Sequence, residues 1–316
     1  MTSLLLYLAC VLPALVQIAA ASPWDSSKLK AQPIGRVKGP SGLSFHDGPI
    51  LVGQNNTISI YVTFYGNFTK AQRRTIRSFL RSFQPPASPT VARWWEITKS
   101  YVNRKGATVG RLVRRGREVR DKSYSMGKEL NLTQIETMIL RLLGHFPTDP
   151  QGIYLLLLAD DVKVKGLCKQ FCGQHSFVVP QSATDRKGLA YAWIANTEKR
   201  CPATCSWPFG SSKPKPQVKG LVPPNGDVGI DGMIVNIAEM LSSVATNPFL
   251  NGYYSLQGKN VMSEAVGFCK DRKALPDDLL RNKTTGASFN VFGYRKRQFL
   301  VPKMYNPATR RCDSQA

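Results

Sequence analysis

The sequence predicts an α/β fold: a mixed β-sheet with packed helices, braced by disulfides. Three observations carry that expectation. Runs of β-branched and aromatic residues, such as Thr57–Tyr65, alternate along the chain with runs of helical period, such as Thr69–Phe83. Ile153–Ala159 is continuously apolar, as a central strand covered on both faces must be. In residues 225–249, Met233, Ile234, Ile237, Met240, Leu241 and Val244 recur at helical spacing, which predicts a largely buried helix. Asp231 is an acceptable N-cap for it, after the turn residues Asn225-Gly226-Asp227, and Asn247-Pro248 stops it.

Residues 1–21 carry no charged side chain, run apolar from Leu4 to Val16, and end in Ala19-Ala20-Ala21 before Ser22. The pattern reads as a secretory signal peptide. A signal anchor is the alternative by length, and Pro13 with the small residues at the end favours cleavage. No other stretch reads as long and apolar enough to span a membrane, so no span is expected after cleavage. Residues 22–42 form a polar, basic leader without periodicity, and residues 43–316 are expected to make one domain.

Beyond the leader, Thr57–Tyr65 reads as a strand, and Thr69 caps a helix with Ile76, Phe79, Leu80 and Phe83 on one side and Arg73, Arg74, Arg77 and Arg81 on the other. Pro89 opens a helix through Trp94 and Trp95, both expected in the core. Residues 107–119 alternate as an exposed or edge strand pair, with Arg111, Arg114, Arg115, Arg117 and Arg120 outward. Such an edge discourages aggregation, and it is also a candidate anionic-ligand patch. Residues 131–144 form an amphipathic helix ended by Gly144. Residues 177–179 and 189–195 are short strands, 251–259 a loop, 262–268 a short helix, and 287–292 and 298–301 strand-like runs.

With the signal removed, six cysteines are left: Cys168, Cys172, Cys201, Cys205, Cys269 and Cys312. An oxidising compartment favours three disulfides, with connectivity open; a zinc site from the two C-x3-C pairs is the alternative. Asn55, Asn67, Asn131 and Asn282 each head an Asn-x-Ser/Thr glycosylation sequence. Lys and Arg number 43 against 20 Asp and Glu, a net charge of +23. In a secreted chain that excess favours an acidic polymer such as a uronic-acid polysaccharide, or an anionic membrane surface. No nucleic-acid motif accompanies the charge, so nucleic acid is not expected as a partner.

No Ser-His-Asp set, nucleophile elbow, phosphate loop or cofactor motif is present, and no cofactor is expected. His175, in Cys172-Gly-Gln-His175, is a weak candidate metal ligand or base. The element order is distantly like that of zinc metallopeptidases, whose key helix carries His-Glu-x-x-His. Here that register reads Ala238-Glu239-Met240-Leu241-Ser242, so Glu239 survives as a weak catalytic candidate while the zinc ligands do not. Asp160-Asp161, Asp227 and Asp231 are the other carboxylates available for hydrolysis.

Several blocks occur in one order across residues 45 to 312: Phe45-His46-Asp47-Gly48-Pro49, Phe64-Tyr65-Gly66-Asn67-Phe68, Trp94-Trp95, Ala159-Asp160-Asp161-Val162, Cys172-Gly173-Gln174-His175, Cys205-Ser206-Trp207-Pro208-Phe209, Asn225-Gly226-Asp227, Thr246-Asn247-Pro248-Phe249 and Thr284-Thr285-Gly286. In these the chain resembles the plant EXORDIUM-like, or phosphate-induced, family. The resemblance implies secretion to the apoplast and cell wall, and a link to cell expansion, brassinosteroid response and growth under low carbon. It supplies no catalytic residues. The chain departs from the family at the short, charged stretch 270–283 and at Ala203-Thr204. The function expected is therefore that of a non-enzymatic, secreted growth or signalling protein bound to acidic cell-wall polysaccharide. The alternatives are a wall hydrolase using Glu239 or Asp160/Asp161, and a purely structural wall component.

Overall fold

The most apolar strands lie at the centre of the sheet and the arginine-bearing ones at its edge. The computed structural model describes residues 42–83, 89–114, 116–180, 187–210, 220–257, 261–272 and 279–316. The expected signal peptide, all of the expected leader but Gly42, and Arg115 lie outside the described residues.

Strand β1 (Thr57–Tyr65) leads into α1 (Lys70–Leu80). Thr69 caps that helix as expected: its hydroxyl accepts from the Gln72 N–H while the Gln72 side chain accepts from the Thr69 N–H. The next helix, α2 (Val91–Trp95), is capped by Thr90 and continues as a 3-10 turn, Glu96–Ser100. Both tryptophans are buried. The Trp94 indole donates to the Pro302 carbonyl at 2.7 Å and the Trp95 indole to that of Gly110 at 3.0 Å.

Strands β2 (Arg111–Arg114) and β3 (Val119–Asp121) do not pair with each other as a strand pair would. Each instead runs parallel to β1, β2 from Thr57↔Arg111 and β3 from Thr63↔Val119, so they form one interrupted edge strand. The unbroken apolar face of β1 accepts both pieces, which short-range alternation could not reveal. Helix α3 (Leu132–Arg141) follows, capped by Asn131 in the same reciprocal arrangement with Gln134. Strand β4 (Ile153–Leu158) lies parallel to β1, with Ile60↔Ile153 through Tyr65↔Leu158, and every residue of it is buried.

Strand β5 (Gly173–Val178) runs antiparallel to β6 (Leu189–Ala195), and β6 runs parallel to β4. The order across the sheet is thus β2-β1-β4-β6-β5. β5 starts four residues earlier than the sequence suggests. Its polar start, Gly-Gln-His, has no strand propensity of its own and is held by the ladder to β6.

The short α4 (Pro202–Cys205) precedes α5 (Val228–Thr246). The N-cap of α5 is Asp227, not Asp231: Asp227 Oδ1 accepts from the Ile230 N–H at 2.8 Å, and Asp231 sits inside the first turn, buried. In length and composition α5 meets the requirement of a membrane span, contrary to the expectation that no later stretch does, but 78% of its apolar window is buried inside the protein.

The stretch after α5 is not the expected loop and helix. Tyr253–Gln257 forms β7 and Val261–Ser263 forms β8, an antiparallel pair; β7 also pairs with Ser44–Phe45. A 3-10 turn spans Gly267–Arg272. The partner that makes β7 a strand is some 200 residues earlier, where Phe45 stacks on Tyr253 at 4.8 Å and His46 on Tyr254 at 3.7 Å. The C-terminal segment closes the core: Phe299 packs edge-on against Phe79, and the Tyr101 hydroxyl donates to the Tyr305 carbonyl at 2.6 Å.

Candidate functional site

Among the described residues three clusters of polar chemistry stand out, and they differ in access. The first is buried. β5 points His175 toward the layer of α5, where its Nε2 lies 2.9 and 2.8 Å from the two carboxylate oxygens of Glu264. Glu264 also accepts from Asn247 Nδ2 at 2.6 Å and interacts with Ser243. Burial alone would raise the Glu264 carboxyl, but the charge and hydrogen bond of His175, with those of Asn247 and Ser243, outweigh it and hold it below its ordinary value. An ionised carboxylate only accepts, so His175 Nε2 is the donor. Its Nδ1 is buried and finds no partner among the described residues.

Glu239, the surviving glutamate of the metallopeptidase-like register, is buried one turn before Ser243 on the same face of α5. Ala238 and Ser242 beside it are fully buried, and the Ser242 hydroxyl is turned back to the Glu239 carbonyl at 2.7 Å. The two weak candidates of the sequence, His175 and Glu239, therefore share a layer. What the sequence missed is Glu264, Asn247 and Ser243, which tie His175 down. Among the described residues, no three His, Cys, Asp or Glu side chains converge as a metal site.

The second cluster lies at the C-terminal ends of β1, β4 and β6, where open parallel sheets commonly bind ligands, at the point where chain order reverses. Here the β1/β4 crevice is filled by protein. Gly66 packs so closely on Ala159 that a Cβ there would sit 2.7 Å from the Ala159 Cβ, and the Tyr65 hydroxyl donates to the Gly127 carbonyl at 2.6 Å. Asp160 and Asp161, which the sequence places at a strand end, lie in the turn after β4 and take different partners. Asp160 pairs with Lys199 at 2.6 Å; Asp161 pairs with Lys128 at 2.7 Å and accepts from the Tyr124 hydroxyl at 2.6 Å.

Nearby, burial and then the charge of Asp227 raise the Glu198 carboxyl. Asp227 is held by its capping role and by Gln72 Nε2 at 3.2 Å. Burial pushes Asp231 up to about 7, against hydrogen bonds from the Asn225 N–H and Nδ2 at 2.8 and 2.6 Å. Asp160, Asp161, Asp227 and Asp231 are thus engaged in capping, turns and ion pairs.

The third cluster is on the surface, and the sequence held it as two unrelated features. The polar side of α1 and the β2–β3 edge form one basic face. Glu118, between β2 and β3, takes Arg77 in a two-pronged pair, with Nε donating at 2.6 Å, and accepts from Arg120 Nε at 2.5 Å. Burial alone would raise the Glu118 carboxyl, but those two arginines hold it low. Arg73 and Arg114 complete the group. Burial, and then repulsion from Arg120 and Arg77, lower the Arg73 guanidinium; burial, and then Arg81, lower that of Arg114. The Nε atoms of Arg73 and Arg114 are both buried without an acceptor among the described residues. Of the residues expected in the anionic-ligand patch, Arg111, Arg117 and Arg120 are exposed and Arg114 is half-buried.

The cysteines pair as Cys168–Cys201, Cys172–Cys205 and Cys269–Cys312. The two C-x3-C motifs are thus linked to each other as two rungs, which removes the thiolates that zinc would need. Asn55, Asn67 and Asn131 are exposed, whereas Asn282 is half-buried with its Nδ2 donating to Gln298 Oε1 at 3.0 Å.

Residues 43–315 match the conserved region of phosphate-induced protein 1. The chain is 36% identical over 286 residues to PHOSPHATE-INDUCED 1 of Nicotiana tabacum, covering 86% of this chain and 88% of that one. It is 37% identical over 291 residues to EXORDIUM of Arabidopsis thaliana, with 86% and 88% covered, and 35% identical over 286 residues to EXORDIUM-like 2 of the same plant, with 86% and 89% covered. No solved structure gives a significant match.

Proposed function

Since this chain belongs to the phosphate-induced protein 1 family of EXORDIUM-like proteins, we propose that it is a secreted, non-enzymatic protein of the apoplast and cell wall that acts in growth or cell expansion by holding acidic wall polymer on its arginine face. The observation that carries this reading is the union of α1 with the β2–β3 edge. Four arginines, Arg73, Arg77, Arg114 and Arg120, interact with the carboxylate Glu118, and Arg81 lies close enough to Arg114 to lower it. Repulsion among the clustered guanidinium groups, which helps to lower Arg73 and Arg114, is relieved when an anion binds. The carboxylates considered for hydrolysis are engaged in pairs and caps, whereas the basic face is open to a macromolecule.

The test is chromatography of the mature, secreted protein on immobilised polyuronate. Retention that survives physiological salt is expected. Free flow-through would overturn the reading. A variant with Arg77, Arg81 and Arg114 changed to Gln elutes at lower salt if this face is responsible.

A further inference from the structure

The arginine face ends in a side-chain stack that a merely solubilising surface would not require. At the C-terminal end of α1, Arg81 places its guanidinium carbon 5.6 Å from the centroid of the Tyr294 ring, and Arg295 places its own 5.4 Å from the same centroid. Tyr294 is 41% exposed, so the ring does not serve the core. Contact with an aromatic ring fixes the plane of a guanidinium while leaving its N–H edge available for a carboxylate. The turn that presents the stack is strained: Arg295 and Lys296, both with a Cβ, adopt φ values of 56° and 58°. It is held in place by the Tyr294 N–H donating to Ser82 Oγ at 2.8 Å and the Gly293 N–H donating to the Arg297 carbonyl at 2.7 Å. Strain that the surroundings impose on an exposed loop is a feature of ligand clamps.

We infer that Arg81, Tyr294 and Arg295 form a preorganised clamp for neighbouring carboxylates of a linear polyuronate, whose chain continues along α1 past Arg77 and Arg73. This rests on the wall-polymer reading above and specifies the chemistry of its site. Arg73, Arg77 and Arg81 follow each other at four-residue intervals, which stacks them on one side of the helix about 6 Å apart. A single small anion would engage one or two of these groups. A polymer that repeats a planar carboxylate meets the whole row: the forks of Arg81 and Arg295 take carboxylates through two parallel hydrogen bonds, while Arg77, held by Glu118, and Arg73, bonded to the Phe68 carbonyl, add their positive charge.

The experiment is calorimetric titration of the mature full-length protein with oligogalacturonates of increasing length, and with dextran sulfate of matched charge. It compares wild type with Tyr294→Ala, Tyr294→Phe, Arg81→Gln and a remote control, Arg311→Ala. Wild-type affinity is expected to rise with oligomer length. Tyr294→Ala and Arg81→Gln are expected to weaken the longest oligomer by about three- to tenfold, while Tyr294→Phe and Arg311→Ala bind like wild type. No binding of any oligogalacturonate by wild type overturns the wall-polymer reading and the clamp together. Length-dependent binding that Tyr294→Ala and Arg81→Gln leave unchanged overturns the clamp alone. Binding of dextran sulfate in preference to oligogalacturonate overturns the commitment to carboxylates. If Tyr294→Ala does not fold, Arg81→Gln, exposed near the helix end, decides the outcome.

Discussion

His175 and Glu264, 89 residues apart in sequence, are joined by hydrogen bonds of 2.9 and 2.8 Å from one ring nitrogen to both oxygens of one carboxylate. Their side chains are 5% and 13% exposed. The pair bolts the antiparallel edge strand β5 to the segment that follows β8, with Asn247 of the α5 C-terminus as the third member. Removing His175 leaves Glu264 buried with only Asn247 and Ser243 to bond it, and removing the Glu264 charge leaves His175 without its carboxylate. Glu264→Gln or His175→Ala is expected to cost about 3–5 kcal/mol, read as a shift in the urea midpoint at neutral pH.

The same carboxylate sets the acid limb of stability. The Glu264 value is depressed in the folded protein relative to an ordinary 4.5. Its contribution is therefore complete above about pH 4.5 and lost as pH falls through the lower folded value. Unfolding of wild type should steepen below that pH, and Glu264→Gln should flatten the limb. An unchanged acid limb in the variant would show that other carboxylates dominate.

Asp231 acts in the opposite direction. Its folded value is about 7 against an ordinary 3.8, so the folded state binds a proton that the unfolded state has released between those values. The sign is then a loss of stability as pH rises from about 3.8 to about 7. Asp231→Asn is expected to remove that slope, measured by chemical denaturation at half-unit steps from pH 4 to 7.

The two disulfides Cys168–Cys201 and Cys172–Cys205 each join residues 33 apart and enclose nearly the same β5–β6 hairpin. A loop of that length is worth roughly 3–4 kcal/mol of chain entropy when first closed, and the second rung restrains a chain already closed. Serine replacement of either pair is expected to cost about 1 kcal/mol or less, and of both pairs about 3 kcal/mol. Additive losses in thermal unfolding would contradict this account.

Glu118 pairs with two arginines of the basic face, Arg77 and Arg120. Glu118→Gln is expected to lower thermal stability, because Arg77 and Arg120 lose their shared partner, and at the same time to raise the salt concentration needed to elute the protein from polyuronate. Earlier elution would mean that Glu118 positions the arginines for ligand more than it competes with it.

What could be read locally was read. Central strands β1 and β4 and helix α5 carry their own signal, because a strand buried on both faces and a long apolar helix need no distant partner to be recognised. Helix starts marked by Thr69 and Asn131 were legible for the same reason. The start of α5 was misplaced by one turn because Asp227 and Asp231 are both capping residue types, and only the hydrogen bonds from Asn225 show that the second is buried. Strand β7 was illegible: Ser44 and Phe45, which pair with it, are over 200 residues away. The candidate sites failed in the same way. His175 is visible in the sequence and Glu264 is not; the arginines of α1 read as a solvated face and those of 107–119 as an edge and candidate anionic-ligand patch, and nothing local shows that Glu118 joins the two.

The segment around residues 299–305 fixes an order in which the core can be completed as the chain is made. The carbonyls that receive the Trp94 indole and the Tyr101 hydroxyl belong to Pro302 and Tyr305, and the ring that meets Phe79 belongs to Phe299. The N-terminal half of the core is therefore completed by residues roughly 200 positions further along the chain, which are synthesised after α5. A nascent chain that has emerged through α5 holds every strand of the central sheet and still exposes the aromatic surface of α1 and α2. A truncation that removes residues 299–305 takes away an inner wall of the molecule, not a tail.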